Sequence, residues 1–180
     1  LYIEQRQAAL ARINLEFNLA ARSAPGLLAS DYRDRMARGG LVSDTEQLRY
    51  KAAFSRQAGQ VGVDLLATLV ITNNQFTIAA CSEGTLHGHG LTGLQGWQLF
   101  DVATAGLLRN AYEAPAPVFG RLRIMNKNLH VALIREVSEQ GTYYLACAGQ
   151  FEEAVSARLT GDLVQSLARA SALLLFPMAL

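Results

Sequence analysis

The chain has 180 residues, of which 51% are hydrophobic and only 17% are charged. A chain of this length and composition buries a full core, which excludes an intrinsically disordered protein. Its sixteen basic and fifteen acidic residues are scattered and give a net charge of +1, which leaves no basic footprint for nucleic acid or an anionic membrane surface. Because a mean hydropathy of +0.14 goes with few charges to cover the surface, we expect an oligomer.

The first third of the sequence predicts three helices. Residues 1–24 carry apolar side chains at helical spacing, which indicates an amphipathic helix, and a shorter helix is predicted over 28–38. Ser43 and Glu46 have the spacing of a capping box, so a third helix is expected to run from there to about residue 60. The apolar stripe of the first helix consists of Ile3, Leu10, Ile13 and Phe17.

The middle of the sequence predicts strands with one helix inserted. Residues 63–72 form a continuous β-branched run, and Asn73-Asn74 suits a tight turn before a second strand over 75–80. A glycine-rich loop over 81–96 and a helix over 97–112 follow, and a last helix is expected from residue 151. Between these two helices three further strands are predicted, over 118–125, 129–138 and 142–148.

Strands that are grouped rather than alternating with helices argue for an α+β fold with an antiparallel sheet. Because the strands are apolar in nearly continuous runs, we expect both sheet faces to be covered. The terminal helices are expected on one face and the segment 81–117 on the other. A small cavity beneath that segment is the expected ligand site.

Four sequence stretches carry a resemblance to a known family. They are Thr-Ile-Ala-Ala-Cys-Ser at 77–82, Leu-His-Gly-His-Gly-Leu at 86–91, Phe100 with Ala103 and Gly106, and Pro-Val-Phe-Gly at 117–120. In order and spacing they resemble the single CACHE type of PAS-like extracytoplasmic sensor domain, over roughly residues 63–150. Where that family has an Arg-Pro-Tyr triplet this chain has Trp97-Gln98-Leu99, so the family's usual ligand contacts are not transferred there.

The resemblance implies a PAS-like five-stranded antiparallel sheet with a long N-terminal helix and a C-terminal helix. On this basis we divide the chain into an N-terminal helical segment (1–60), a PAS-like sensor core (61–150) and a C-terminal helix that leads out of the domain (151–180). The family occurs in bacterial chemoreceptors, histidine kinases and cyclic-di-nucleotide enzymes. It implies a periplasmic or extracellular location and flanking transmembrane helices in the full-length protein.

The sequence shows no catalytic motif: a serine elbow, a phosphate-binding loop and an HExxH helix are all missing, so we expect neither an enzyme nor a cofactor. Cys81, His87 and His89 allow the alternative of a metal-binding protein, although a further ligand at recognisable spacing is missing. Cys81 and Cys147 are expected in strands that a PAS-like order separates by the first strand, so we predict two thiols and no disulfide.

Arg121 and Arg123 alternate with apolar residues in the third predicted strand, which places both on one sheet face. With a turn at Asn126-Lys127, Arg123 is expected opposite His130. A guanidinium group is suited to capture a carboxylate, so this face predicts an acidic ligand; the same pattern is also typical of a solvated sheet face. Aromatic residues of the neighbouring elements complete this site, and the predicted ligand-binding residues are Trp97, Tyr112, Arg121, Arg123, His130 and Tyr144.

Together these features predict an extracytoplasmic sensor domain of a bacterial transmembrane signalling protein that binds a small organic acid or amino acid. The alternative is an intracellular PAS-like or GAF-like regulatory module, which has the same kind of sheet. The apolar stripe of the first helix predicts a parallel homodimer through that helix.

Overall fold

The computed structural model describes residues 2–38, 43–72, 75–82, 102–124 and 127–175. It contains a five-stranded antiparallel sheet, a long N-terminal helix and a long C-terminal helix, which confirms the predicted α+β fold class. The helices are α1 (Tyr2–Ser23), α2 (Ser30–Ala37), α3 (Asp44–Val61), α4 (Val102–Glu113) and α5 (Glu152–Leu175), with a 3-10 turn at Pro25–Leu27. The strands are β1 (Leu65–Thr72), β2 (Gln75–Cys81), β3 (Val118–Ile124), β4 (Lys127–Val137) and β5 (Tyr143–Phe151).

The sheet has the order β2-β1-β5-β4-β3, and every neighbouring pair is antiparallel. β1 therefore lies between β2 and β5, as the PAS-like order implied. Ala67 of β1 is opposite Cys81 on one side and Cys147 on the other, and the two buried cysteines are not joined by a disulfide. Burial, and secondarily the neighbouring Cys81, raises the pKa of the Cys147 thiol well above its usual range.

α3 begins and ends with the local signals that the sequence contains. The Ser43 hydroxyl accepts a hydrogen bond from the backbone N–H of Glu46, and the Glu46 carboxylate accepts one from the backbone N–H of Ser43. This is the predicted capping box. The helix ends at Val61 and is capped by Gly62, whose φ of 72° lies in the left-handed region that glycine adopts without strain.

The two faces of the sheet pack against different helices. On one face, here called the helical face, residues of α1, α2, α3 and α5 share a core with Leu66, Val70, Ala146 and Ala148 of the sheet. On the other face, here called the α4 face, Leu108 of α4 packs with apolar strand residues. The covering of the α4 face by residues 102–113 agrees with the prediction; the expected helix start at 97–101 lies outside the described residues, as does the Asn73-Asn74 turn.

The β3–β4 hairpin has a register other than the predicted one. Arg121 is opposite His130, and Arg123 is opposite Asn128, so the expected pairing of Arg123 with His130 is wrong. Ile124 pairs with Lys127, so each residue of β3 pairs with a residue of β4 two positions earlier than a turn at Asn126-Lys127 predicts. A shift of the pairing register by an even number of residues leaves every side chain on the same face of the sheet, since strand side chains alternate with a period of two.

α1 uses its apolar stripe within the chain. Ile13 and Phe17 are each only 1% exposed and belong to the core under the helical face, whereas Ile3 is 69% exposed. The prediction that this whole stripe forms a dimer surface is therefore wrong, because the sheet already covers its centre. The outward side of α1 instead carries the exposed residues Ala8, Ala11, Leu15 and Leu19.

The N-terminal end of α1 and the C-terminal end of α5 extend beyond the core. In α1 the first buried residue is Ala9, and in α5 the last buried residue with a described side chain is Leu159. Within the described ranges, no helix combines the length and apolar character required to cross a bilayer.

Candidate functional site

The five described residues of the predicted site lie on both faces of the sheet. Tyr112 lies on the α4 face, where its ring is 5.9 Å from that of Phe76 and 6.1 Å from that of Tyr143. Arg121 and His130 lie on the helical face, in a groove that involves α1 and α5. Tyr144 also belongs to the helical-face core. Trp97 lies outside the described residues.

The prediction that Arg121 and Arg123 point into a cavity beneath the 97–112 segment is wrong. Leu122 is buried in the same core as Leu108 of α4, and Leu107 packs over Gly120. Because strand side chains alternate, Arg121 and Arg123 extend from the opposite side of β3. The sequence correctly placed the two arginines together but could not show which helix covers their face.

Arg121 and His130 instead form the floor of a groove of about 560 Å³, here called the terminal-helix groove. One wall is the beginning of α1, with Arg6 and Gln7, and the other is the first two turns of α5, with Glu152 and Ser156. Apolar side chains complete both walls: Ile3 and Leu10 from α1, and Val155 and Leu159 from α5. The groove therefore combines an apolar lining with several polar groups, which is the usual composition of a small-molecule site.

Arg121 forms an ion pair across the groove. Its Nε donates a hydrogen bond to Oε1 of Glu152 at 2.5 Å. Glu152 is the first residue of α5, where the positive end of the helix dipole favours a carboxylate. The side chains of Arg121 and Glu152 are 66% and 34% exposed, so solvent screens their attraction.

His130 is held by α1. Its Nε2 lies 2.6 Å from Oδ1 of Asn14, and since a carbonyl oxygen only accepts, Nε2 is the protonated nitrogen and donates. Burial lowers the pKa of His130, an effect that the nearby Glu152 carboxylate partly opposes. The imidazole is therefore neutral at pH 7 and leaves Arg121 as the cation on the groove floor.

Arg6, Gln7, Glu152 and Ser156 are groove residues that sequence reasoning missed. They belong to the first and last helices and are distant in sequence from Arg121; Glu152 is 31 residues away from it. Arg6 is exposed, and among the described residues it has no ion-pair partner. Each looks like an ordinary surface residue of an amphipathic helix, so no local signal distinguishes it.

Tyr144 belongs to a buried polar cluster away from the groove. The guanidinium carbon of Arg33 lies 4.0 Å from the centre of the Tyr144 ring, and the Ser138 hydroxyl donates to Asp34 at 2.9 Å. Burial raises the pKa of Tyr144, and the Arg33 charge acts in the opposite direction. Among the described residues, Nε and Nη1 of Arg33 and Oδ2 of Asp34 have no hydrogen-bond partner.

The described part of the α4 face contains a small void. It measures about 10 Å³ and is lined by apolar side chains together with Cys81 and Cys147. A void of that size holds at most one water molecule. The alternative metal site rests on His87 and His89, which lie outside the described residues, and no group of three potential ligands occurs in the part of the chain that is described.

Comparison with solved structures finds matches at low sequence identity and with TM-scores below 0.5. The periplasmic domain of LuxQ from Vibrio cholerae has a TM-score of 0.44 and 14% identity, and the match covers 88% of this chain and 65% of that one. The sensor domain of DcuS from E. coli has a TM-score of 0.44 and 10% identity, over 81% of this chain and 98% of that one. The sensory domain of the Campylobacter jejuni chemoreceptor Tlp3 has a TM-score of 0.43 and 8% identity, over 87% of this chain and 66% of that one.

The matched region thus spans less than two thirds of the LuxQ domain and about two thirds of the Tlp3 domain. No protein-family model and no curated protein sequence matches the chain.

Proposed function

We propose that this chain is the extracytoplasmic sensor domain of a bacterial transmembrane signalling protein, and that it binds a small carboxylate-bearing ligand without catalysing a reaction. The observation that carries the proposal is the position of Arg121 and His130, which are cross-strand partners on the floor of a groove whose walls are the two terminal helices.

The terminal-helix groove suits a carboxylate because guanidinium groups approach it from two elements. Arg121 extends from β3 and Arg6 from α1, while Gln7 and Ser156 add neutral hydrogen-bonding groups. Guanidinium groups form short charge-assisted hydrogen bonds with carboxylates, and their planar fork fixes the orientation of the ligand. The apolar lining accommodates a short carbon skeleton between the charged ends.

The position of the groove also supports a signalling role. A ligand there touches α1 and α5 at once, and these are the helices by which the domain would connect to flanking transmembrane segments. Ligand binding shifts the population between two arrangements of α5 against α1 to the extent that the ligand has different affinities for them. The groove thus couples occupancy to the elements that lead out of the domain.

We also propose a homodimer through α1 and a location in the periplasm or outside the cell. For the dimer, the supporting feature is the outward apolar side of α1, where Leu15 and Leu19 are 56% and 60% exposed. For the location, the support is the resemblance in the 63–150 segment.

The ligand class is tested by calorimetry with malonate, a short dicarboxylate, and with its neutral analogue malonamide. We expect malonate to bind and malonamide not to bind. Arg121→Ala should weaken malonate binding roughly tenfold, the low end for a charge-assisted contact, because Arg121 is 66% exposed.

Arg123→Ala is the matched control. Arg123 lies on the same strand and the same face but does not line the groove, so its removal should leave malonate binding unchanged. Equal binding by the parent protein and Arg121→Ala, or binding of malonamide as tight as that of malonate, would contradict the proposed ligand chemistry.

A further inference from the structure

We propose that Glu152 is an internal competitor of the ligand. Its carboxylate occupies the guanidinium group of Arg121, and a ligand carboxylate binds by taking its place. This inference rests on the proposed function, since it concerns the same groove, and it assigns to one residue the link between the groove and α5.

The contact between Arg121 and Glu152 ties the start of α5 to an edge strand. β3 lies at one edge of the sheet, and Glu152 is the first residue of α5. Nε of Arg121 donates to Oε1 of Glu152 at 2.5 Å. The protein therefore offers to Arg121 the same functional group that an acidic ligand carries.

The ion pair is weak enough to be exchanged. With Arg121 66% exposed and Glu152 34% exposed, water screens their attraction and competes for both groups. A released Glu152 also keeps a favourable position, because it lies in the first turn of α5 beside backbone N–H groups that lack helical acceptors. Displacement of Glu152 thus breaks one contact, and its carboxylate remains in a favourable electrostatic environment.

The exchange changes which helix is bound to β3. While Glu152 holds Arg121, α5 is tied to the edge strand. A dicarboxylate between Arg121 and Arg6 ties α1 to that strand instead, since Arg6 belongs to the α1 wall of the same groove. Such a ligand prefers the arrangement in which the start of α5 is released, and this difference in affinity is what shifts the population.

Calorimetric titration of Glu152→Gln with malonate at low ionic strength tests the competition. We expect this variant to bind malonate roughly two- to fivefold more tightly than the parent protein, which is the range that a screened ion pair allows. Glu153→Gln is the matched control: it removes the same charge from the same helical turn, but Glu153 is exposed and does not line the groove. Its affinity should equal that of the parent.

Amide hydrogen exchange in the second turn of α5, whose N–H groups donate to carbonyl oxygens of the first turn, gives a second readout. If release of Glu152 is the response to ligand, exchange there should be faster in the malonate-bound parent than in the free parent. Glu152→Gln without malonate should show the same faster exchange, and Glu153→Gln should not.

The outcomes separate this inference from the proposed function. If the parent binds malonate but Glu152→Gln binds no tighter than Glu153→Gln, the competition is refuted and the ligand site stands. Binding by Glu152→Gln where the parent shows none supports the competition. If neither binds malonate, the ligand class and the competition both fail.

Discussion

Thr68 places a hydroxyl group inside the helical-face core at a cost to stability. The residue is 0% exposed, and its Oγ1 has no hydrogen-bond partner among the described residues. A buried hydroxyl without a partner loses its hydration and gains no compensating bond. Its neighbours across the sheet include Ala80 of β2 and Ala146 of β5, neither of which carries a polar side chain.

Thr68→Val should therefore stabilise the protein. Valine keeps nearly the same shape and removes the unpaired polar atom, so we expect the free energy of unfolding to rise by about 1 kcal/mol. Urea denaturation with an unchanged m-value measures this effect. Thr68→Ala is the control, because it removes the hydroxyl but also a methyl group and should not be stabilising. A Thr68→Val variant less stable than the parent would show that the hydroxyl is bonded in solution.

At the scale of the element, α1 has two apolar sides with different roles. The inner side, with Ile13 and Phe17, packs on the sheet, while Leu15 and Leu19 face outward. His130 and Asn14 are also bonded across this inner side, so α1 is part of the groove as well as of the core. The outer side remains available for the proposed dimer.

The two sides predict opposite outcomes for the same kind of substitution. Phe17→Asp should unfold the domain, since it buries an unpaired carboxylate and removes a core ring, and the loss should exceed about 3 kcal/mol. Leu19→Asp should leave the melting temperature within a few degrees of the parent and convert a dimer to a monomer. Thermal melts and sedimentation at millimolar concentration measure both. A stably folded Phe17→Asp variant would contradict the packing of α1, and a monomeric parent would refute the dimer.

At the scale of the whole molecule, the two thiols report cooperative unfolding. Cys81 is 0% and Cys147 1% exposed, and both are in strands that flank β1 and belong to the core of the α4 face. Neither can reach solvent by fraying of a helix end, because the sheet and its covering would have to open. Burial, which raises the pKa of Cys147, further suppresses the reactive thiolate.

Titration with a chromogenic disulfide reagent should therefore find no fast-reacting thiol in the native protein and two in the denatured protein without reductant. In the native state both should react at the rate of global opening, which falls as stability rises. Thr68→Val should slow the reaction if its stabilisation is real. Finding no thiol after denaturation would mean that the cysteines are bridged, which the separation by β1 forbids.

Much of the fold follows from local pattern. The helical spacing of residues 1–24, the capping box of Ser43 and Glu46, and the alternation of Arg121, Leu122 and Arg123 are properties of neighbouring residues, and the structure shows the element that each predicts. Local dihedral preferences and side-chain direction depend on only a few residues, so they can be read from the sequence.

The candidate site could not be predicted from local sequence pattern. Alternation in β3 determines that Arg121 and Arg123 share a face, but not whether α4 or the terminal helices cover it. The pairing of Arg121 with His130 depended on a hairpin register, and the bonds of Arg121 to Glu152 and of His130 to Asn14 depended on where α5 and α1 cross the sheet.

By itself, then, the sequence determined the elements, the α+β class and which strand residues lie together. Only the tertiary structure decided that Arg121 and Arg123 face the terminal helices. It also decided that Tyr112 lies on the other side of the sheet and that Glu152 forms an ion pair with Arg121. The physical reason is that helix placement is chosen by the packing of whole apolar faces, summed over residues distant in the chain, and no single residue carries that choice.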